Sequence, residues 1–79
     1  MTATIEYDWE ANAVYIRLRD VPYAYGADLD HERRVDYGSD RQPIGIELTC
    51  VRGGVNLDNL PEAKVVARLL EKHKIPVFA

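Results

Sequence analysis

Residues 4–19 hold two runs of alternating apolar and polar side chains on either side of a turn, and this stretch narrows the fold more than any other. Ile5 and Tyr7 alternate with Thr4 and Glu6, while Val14, Ile16 and Leu18 alternate with Tyr15, Arg17 and Arg19. A period of two belongs to a strand with one buried face, and two such runs around residues 8–13 make a hairpin. Placing Ile5 across from Ile16 sets Tyr7 against Val14 on the apolar side. The same register sets Glu6 against Tyr15 and Thr4 against Arg17 on the other. Asp8, Glu10 and Asn12 then fall in the connecting loop, where Asp and Asn accept bonds from nearby backbone amides and fix a turn.

Further along, Pro22 and Gly26 mark residues 20–26 as a loop leading out of the second strand. It carries Tyr23 and Tyr25, which either form a contact surface or lie back on the sheet edge. Residues 27–37 alternate again, with Leu29 and Val35 on one side and Asp28, Asp30, Glu32, Arg34 and Asp36 on the other. His31 and Arg33 interrupt the apolar face, which a bulge or an edge position accommodates. Residues 38–43 are dense in turn formers, and residues 44–50 form a cleanly alternating strand. Val35 opposite Ile46 puts Arg34 opposite Glu47. A similar register between the middle strands brings Arg17 to Asp30 and Arg19 to Asp28. The outer face is thus expected to be a lattice of opposite charges, each exposed pair worth about 0–1 kcal/mol.

Gly53 and Gly54 break the strand, and a helix is expected over residues 59–74. Asn59 stands as its cap, Pro61 in its first turn and Glu62 three residues after the cap. Ala63, Val66, Ala67, Leu69 and Leu70 make an apolar stripe, while Glu62, Lys64, Arg68, Glu71, Lys72 and Lys74 stay outside, so the helix covers the apolar face of the sheet. Lys72, His73 and Lys74 suit the negative end of its dipole. The tail, residues 75–79, is apolar and must dock, either as a short fifth strand on an edge or against a second subunit. The expected architecture is α+β: one domain over residues 1–79, with an antiparallel four-stranded β-meander through residue 52 and one C-terminal α-helix packed on one face.

Size sharpens the question of partners. A chain of 79 residues buries only about 60% of its unfolded surface or slightly more, and natural chains this short commonly add disulfides, a metal or a subunit contact. Cys50 is the single cysteine, so no internal bridge forms, and His31 and His73 stand in no zinc-like spacing. A homo-oligomer, first of all a dimer, is therefore expected, with no metal and no cofactor. The net charge of −3 is spread along the chain, and Arg33 with Arg34 is too short a basic run for a nucleic-acid surface. No segment approaches the roughly 18 apolar residues of a membrane span, and the opening Met-Thr-Ala-Thr-Ile-Glu lacks the regions of a signal peptide. A cytoplasmic location is expected.

Tyr7-Asp8-x-Glu10-Ala11-Asn12-Ala13-Val14-Tyr15-Ile16-Arg17-Leu18, then Val35-Asp36-Tyr37 and Ile44-Gly45-Ile46-Glu47-Leu48, resembles a family of small, mostly prokaryotic proteins known as domain of unknown function 2283 (DUF2283). The likeness runs from about Ile5 to Cys50 and covers the helix and tail less. The family more often has Asp at the position of Asn12 and Leu at that of Val14. The resemblance implies a compact antiparallel meander and no established activity, so no catalytic or ligand residue is carried across. It also implies a place beside small toxin-like proteins, as an antitoxin-like partner.

Each chemically suggestive residue has a competing structural explanation. Asp8 and Glu10 suit an acid–base pair only if they share a cleft, and their loop position favours turn formation. Cys50 lacks a base and is expected as a small residue on the apolar side of its strand. Gly53 and Gly54 match neither phosphate-loop spacing and are expected to bend the chain. No catalytic, cofactor or metal residue is assigned. The expected function is a non-enzymatic interaction module that presents Tyr23, Tyr25 and Phe78. The alternative is a small enzyme or ligand binder whose site forms between subunits from Asp8, Glu10 or Glu47.

Overall fold

The computed structural model describes residues 3–78. Five strands form one antiparallel sheet: β1 (Thr4–Asp8), β2 (Ala13–Arg17), β3 (Tyr25–Asp28), β4 (Arg33–Tyr37) and β5 (Pro43–Thr49). The β1–β2 hairpin has the expected register, Ile5 to Ile16, Tyr7 to Val14, Glu6 to Tyr15 and Thr4 to Arg17. The β4–β5 hairpin likewise pairs Val35 with Ile46 and Arg34 with Glu47.

Strand number and order differ from the expected four-stranded meander. Residues 27–37 are not one strand but parts of two, with a turn between them. The Asp30 carboxylate accepts the Glu32 N–H at 2.9 Å and the Arg33 Nε–H at 2.9 Å, closing the loop locally. Those same bonds, the Glu32 amide first, hold the Asp30 carboxyl below its ordinary range. His31 interrupts the apolar alternation because the chain reverses there, while Arg33 opens β4 on the core side and donates to the Asn56 and Asp58 carbonyls. The sheet order is β1-β2-β5-β4-β3, so β2 pairs with β5, and the β3–β4 hairpin is placed beyond it. Arg17 consequently faces Gly45 and not Asp30. Arg19 pairs with Asp40 at 2.9 Å instead of Asp28, and that guanidinium together with the Gln42 amide lowers the Asp40 carboxyl.

Beyond β5 come a 3-10 turn (Val51–Gly53), β6 (Val55–Asn56), α1 (Ala63–Lys72) and β7 (Val77–Phe78). Val66 and Leu70 of α1 are fully buried and join Val14, Ile16, Ile46 and Leu48 in one core cluster, so the helix does cover the apolar sheet face. Its start is not the expected one. Asn59 and Glu62 both adopt left-handed backbone, and the first helical residue is Ala63, with Glu62 at the cap position and no side-chain cap bond. A residue with φ of 64° cannot take the extended conformation of a capping Asn, which removes the capping box.

The helix ends in a Schellman arrangement. Ile75 N–H bonds Leu70 C=O at 3.0 Å and Lys74 N–H bonds Glu71 C=O at 2.9 Å, with Lys74 left-handed at φ 57°. That reversal sends buried Ile75 into the core and turns the tail to pair, parallel, with β6. The tail is therefore a strand, but in a separate two-stranded ribbon and not on an edge of the main sheet. The start at residues 1–2 and the last tail residue, 79, lie outside the described residues. Among the described residues no helix is long and apolar enough to cross a membrane.

Candidate functional site

The sheet face opposite the core is where polar side chains gather. Alternation along the strands and the observed registers arrange them in two rows crossing all five strands. One row is Glu6, Tyr15, Glu47, Arg34 and Asp28; the next is Thr4, Arg17, Gly45, Asp36 and Gly26. The second row has glycine on β5 and on β3, and a long side chain of the first row leans over each.

Tyr15 crosses β5 above Gly45, and its hydroxyl donates to Asp36 Oδ2 at 3.0 Å. A Cβ on Gly45 would overlap the Tyr15 hydroxyl and Cζ, so the missing side chain is what opens the path. Arg34 lies over Gly26 in the same way, where a Cβ would come within 2.7 Å of its Cζ. Its guanidinium pairs with Asp28 at 3.0 Å and Asp36 at 3.4 Å, and donates to the Tyr23 hydroxyl at 3.3 Å. The expected lattice thus exists with other partners. Arg34 faces Glu47 by register, yet its ion pairs go to Asp28 and Asp36.

The groups of this network engage one another. Burial, and then the bond to Asp36, push the Tyr15 hydroxyl up to about 12, so at neutral pH it keeps its proton. The bonds to Tyr23 and Asp28 hold the Arg34 guanidinium above even its usual range. Asp36 accepts from Tyr15 and is ion-paired with Arg34. Glu47 is exposed and takes part in none of the ion pairs or side-chain hydrogen bonds among the described residues.

Two shallow hollows flank Glu47. One, of about 270 Å³, is lined by Glu6, Asp8, Tyr15 and Glu47; the other, of about 450 Å³, by Asp28, Glu32, Arg34, Glu47 and Thr49. Asp8 and Glu47 therefore share a hollow that Glu10 does not line. Asp8 Oδ1 accepts the Ala11 N–H at 3.1 Å, which is the expected turn-forming role. Asn12, left-handed at φ 57°, accepts the Arg52 N–H at 2.8 Å and so clamps the β1–β2 loop to the 3-10 turn. A third hollow, of about 430 Å³, lies between Leu18, Arg19, Pro43, Pro61 and Val65. Arg19 Nη1 is buried without a hydrogen-bond partner among the described residues.

The remaining candidates are scattered. Cys50 is exposed in left-handed backbone just past β5, which corrects its expected place on the apolar side: the strand ends at Thr49 and the chain turns away. His73 packs edge-on to Tyr7 with ring centroids 6.0 Å apart, while His31 is exposed in the β3–β4 turn. Gly54, at φ 104°, bends the chain beneath Phe78. Tyr25 stacks on Tyr37 at 5.0 Å, yet Tyr23, Tyr25 and Phe78 remain substantially exposed. Among the described residues no group of three or more His, Cys, Asp or Glu converges as metal ligands do.

The Tyr15–Asp36–Arg34 network escaped the sequence reading, although Gly45 in the middle of a clean strand was a usable sign of close approach. The fold and this face define a small α+β protein whose outer face joins Tyr15, Asp36, Arg34 and Asp28 in one polar network and leaves Glu47 outside it. The chain belongs to the family described as protein of unknown function (DUF2283), whose model matches residues 4–51. That span contains all five strands of the main sheet and ends before β6, α1 and β7. No curated protein and no solved structure matches the chain.

Proposed function

We propose that this chain is a small non-enzymatic interaction module that self-associates, as a dimer in the first instance, and serves as an antitoxin-like partner of another small protein. The observation that carries the reading is the division of the surface. The outer-face network is internally satisfied, whereas exposed apolar side chains, Tyr25 at 43% and Leu29 at 41%, lie along or just beyond the edge strand β3. Large amphipathic side chains in that setting favour protein contact over catalysis. A cytoplasmic location belongs to the same proposal. Sedimentation equilibrium at micromolar concentration tests self-association, the expected result being a mass above 9.0 kDa that falls on dilution. Pull-down from the native host with mass spectrometry tests the second partner, the expected result being one small protein recovered in stoichiometric amount. Recovery of abundant proteins alone, together with a constant monomer mass, refutes the reading.

The alternative is a ligand binder or small enzyme completed between subunits. It draws on the one hollow that brings Asp8 and Glu47 together beside Tyr15. Against it stand the engagement of Asp8 in its turn and the proton held on Tyr15.

A further inference from the structure

We infer that the partner of β3 is the β3 of a second copy, antiparallel across a two-fold axis through Ala27, so that two five-stranded sheets join into one. The inference rests on the self-association proposed above and adds where, and in what register, it occurs.

Leu29 N–H bonds Arg33 C=O at 2.8 Å, which continues the β3–β4 ladder by one residue and sets its parity: residues 25 and 27, like the Leu29 N–H, turn toward β4. Gly26 and Asp28 therefore aim theirs away from the sheet, at an edge that no other strand covers among the described residues. An open row of this kind is a template for another strand. With the axis at Ala27, Gly26 lies opposite Asp28 of the second copy and the reverse, and the four outward groups on each chain are satisfied by those of the other.

The side chains agree with this register on both faces. On the core side, exposed Tyr25 meets exposed Leu29 of the second copy, twice, around the small Ala27–Ala27 contact. On the outer side, Asp28 of one copy stands beside Gly26 of the other, and Gly26 is the residue over which Arg34 extends its guanidinium. Each Arg34 thus reaches across the junction to a carboxylate, and no like charges face each other. On the other edge, a two-fold at the centre of β1 sets Glu6 against Glu6.

Cysteine cross-linking tests the register directly. Ala27 forms a non-hydrogen-bonded pair with its counterpart, with Cα atoms about 4.5 Å apart, inside the roughly 4.4–6.8 Å range that a disulfide spans. In a Cys50→Ser background, Ala27→Cys is expected to give a covalent species of about twice the 9.0 kDa chain under mild oxidation, while Glu6→Cys gives none. Asp28→Pro removes an N–H that the monomer does not use and is expected to weaken the dimer at least tenfold in sedimentation, with the circular dichroism of the native fold retained. Should that variant unfold, Asp28→Arg, which sets like charges against Arg34, is expected to weaken the dimer in the same measurement. A dimer that cross-links through Glu6→Cys, or not at all through Ala27→Cys, overturns the β3 register and leaves self-association standing. A wild-type mass of 9.0 kDa at every concentration overturns both.

Discussion

Replacing Gly45 by Ala is expected to change sign with its background, because the cost arises from one side chain. In the wild type, the new Cβ collides with the Tyr15 hydroxyl and Cζ, so the ring must leave its place over β5. Tyr15 then loses its 3.0 Å bond to Asp36, a bond to a charged acceptor worth about 1.5–3 kcal/mol, less where water substitutes at a half-buried site. Against this, Ala stabilises a strand by roughly 0.5–1 kcal/mol relative to Gly, by restricting the unfolded chain. The balance is a destabilisation of about 1 kcal/mol. With Tyr15→Ala already in place, the space over Gly45 is open and only the favourable part remains, so Gly45→Ala is expected to stabilise by about 0.5–1 kcal/mol. Urea unfolding followed by circular dichroism on the four chains of the cycle gives a coupling near 2 kcal/mol if the geometry is right. An equal effect of Gly45→Ala in both backgrounds refutes the Tyr15–Gly45 fit.

Other outcomes follow from the same surfaces. One of the five tyrosines should titrate near pH 12 in absorbance at alkaline pH, and Tyr15→Phe should remove that component. Because the folded-state value is raised, the stabilisation from neutral Tyr15 is fully present below about pH 10 and is lost as pH climbs through about 12, which alkaline unfolding curves can follow. Lys74→Gly should stabilise by about 0.5–1 kcal/mol in urea unfolding, since a left-handed non-glycine costs about 1–2 kcal/mol and glycine's own chain entropy returns part of it. Glu47→Ala should cost less than about 0.5 kcal/mol, as unpaired exposed groups do. Its coupling to Arg34→Ala should be near zero, because Arg34 pairs with Asp28 and Asp36; a loss of several kcal/mol would show Glu47 buried in an assembly.

By itself the sequence determined the two hairpin registers, the helical stripe and the family. Each of these is local: a period of two around a turn of known position leaves one pairing that buries Ile5, Tyr7, Val14 and Ile16 together, or Val35 with Ile46. Turn chemistry at Asp8 is equally local, since the carboxylate and the amide it accepts are three residues apart. The order of the strands is not. Alternation in β2 is satisfied by any neighbour with a matching apolar face. In the observed order β2 lies beside β5, and Tyr15 meets Gly45 and Asp36, residues 30 and 21 positions away, a contact that no periodicity records. Arg33 posed the same difficulty. A charge on the core side looked like a flaw in one strand until the fold brought the Asn56 and Asp58 carbonyls to its guanidinium. The helix start shifted for a related reason: a capping signal is a local preference of about 1 kcal/mol, and the backbone reversals at Asn59 and Glu62 that seat Leu60 in the core outweigh it. The outer-face network, and with it the free β3 edge, exists only once the distant strands are set side by side.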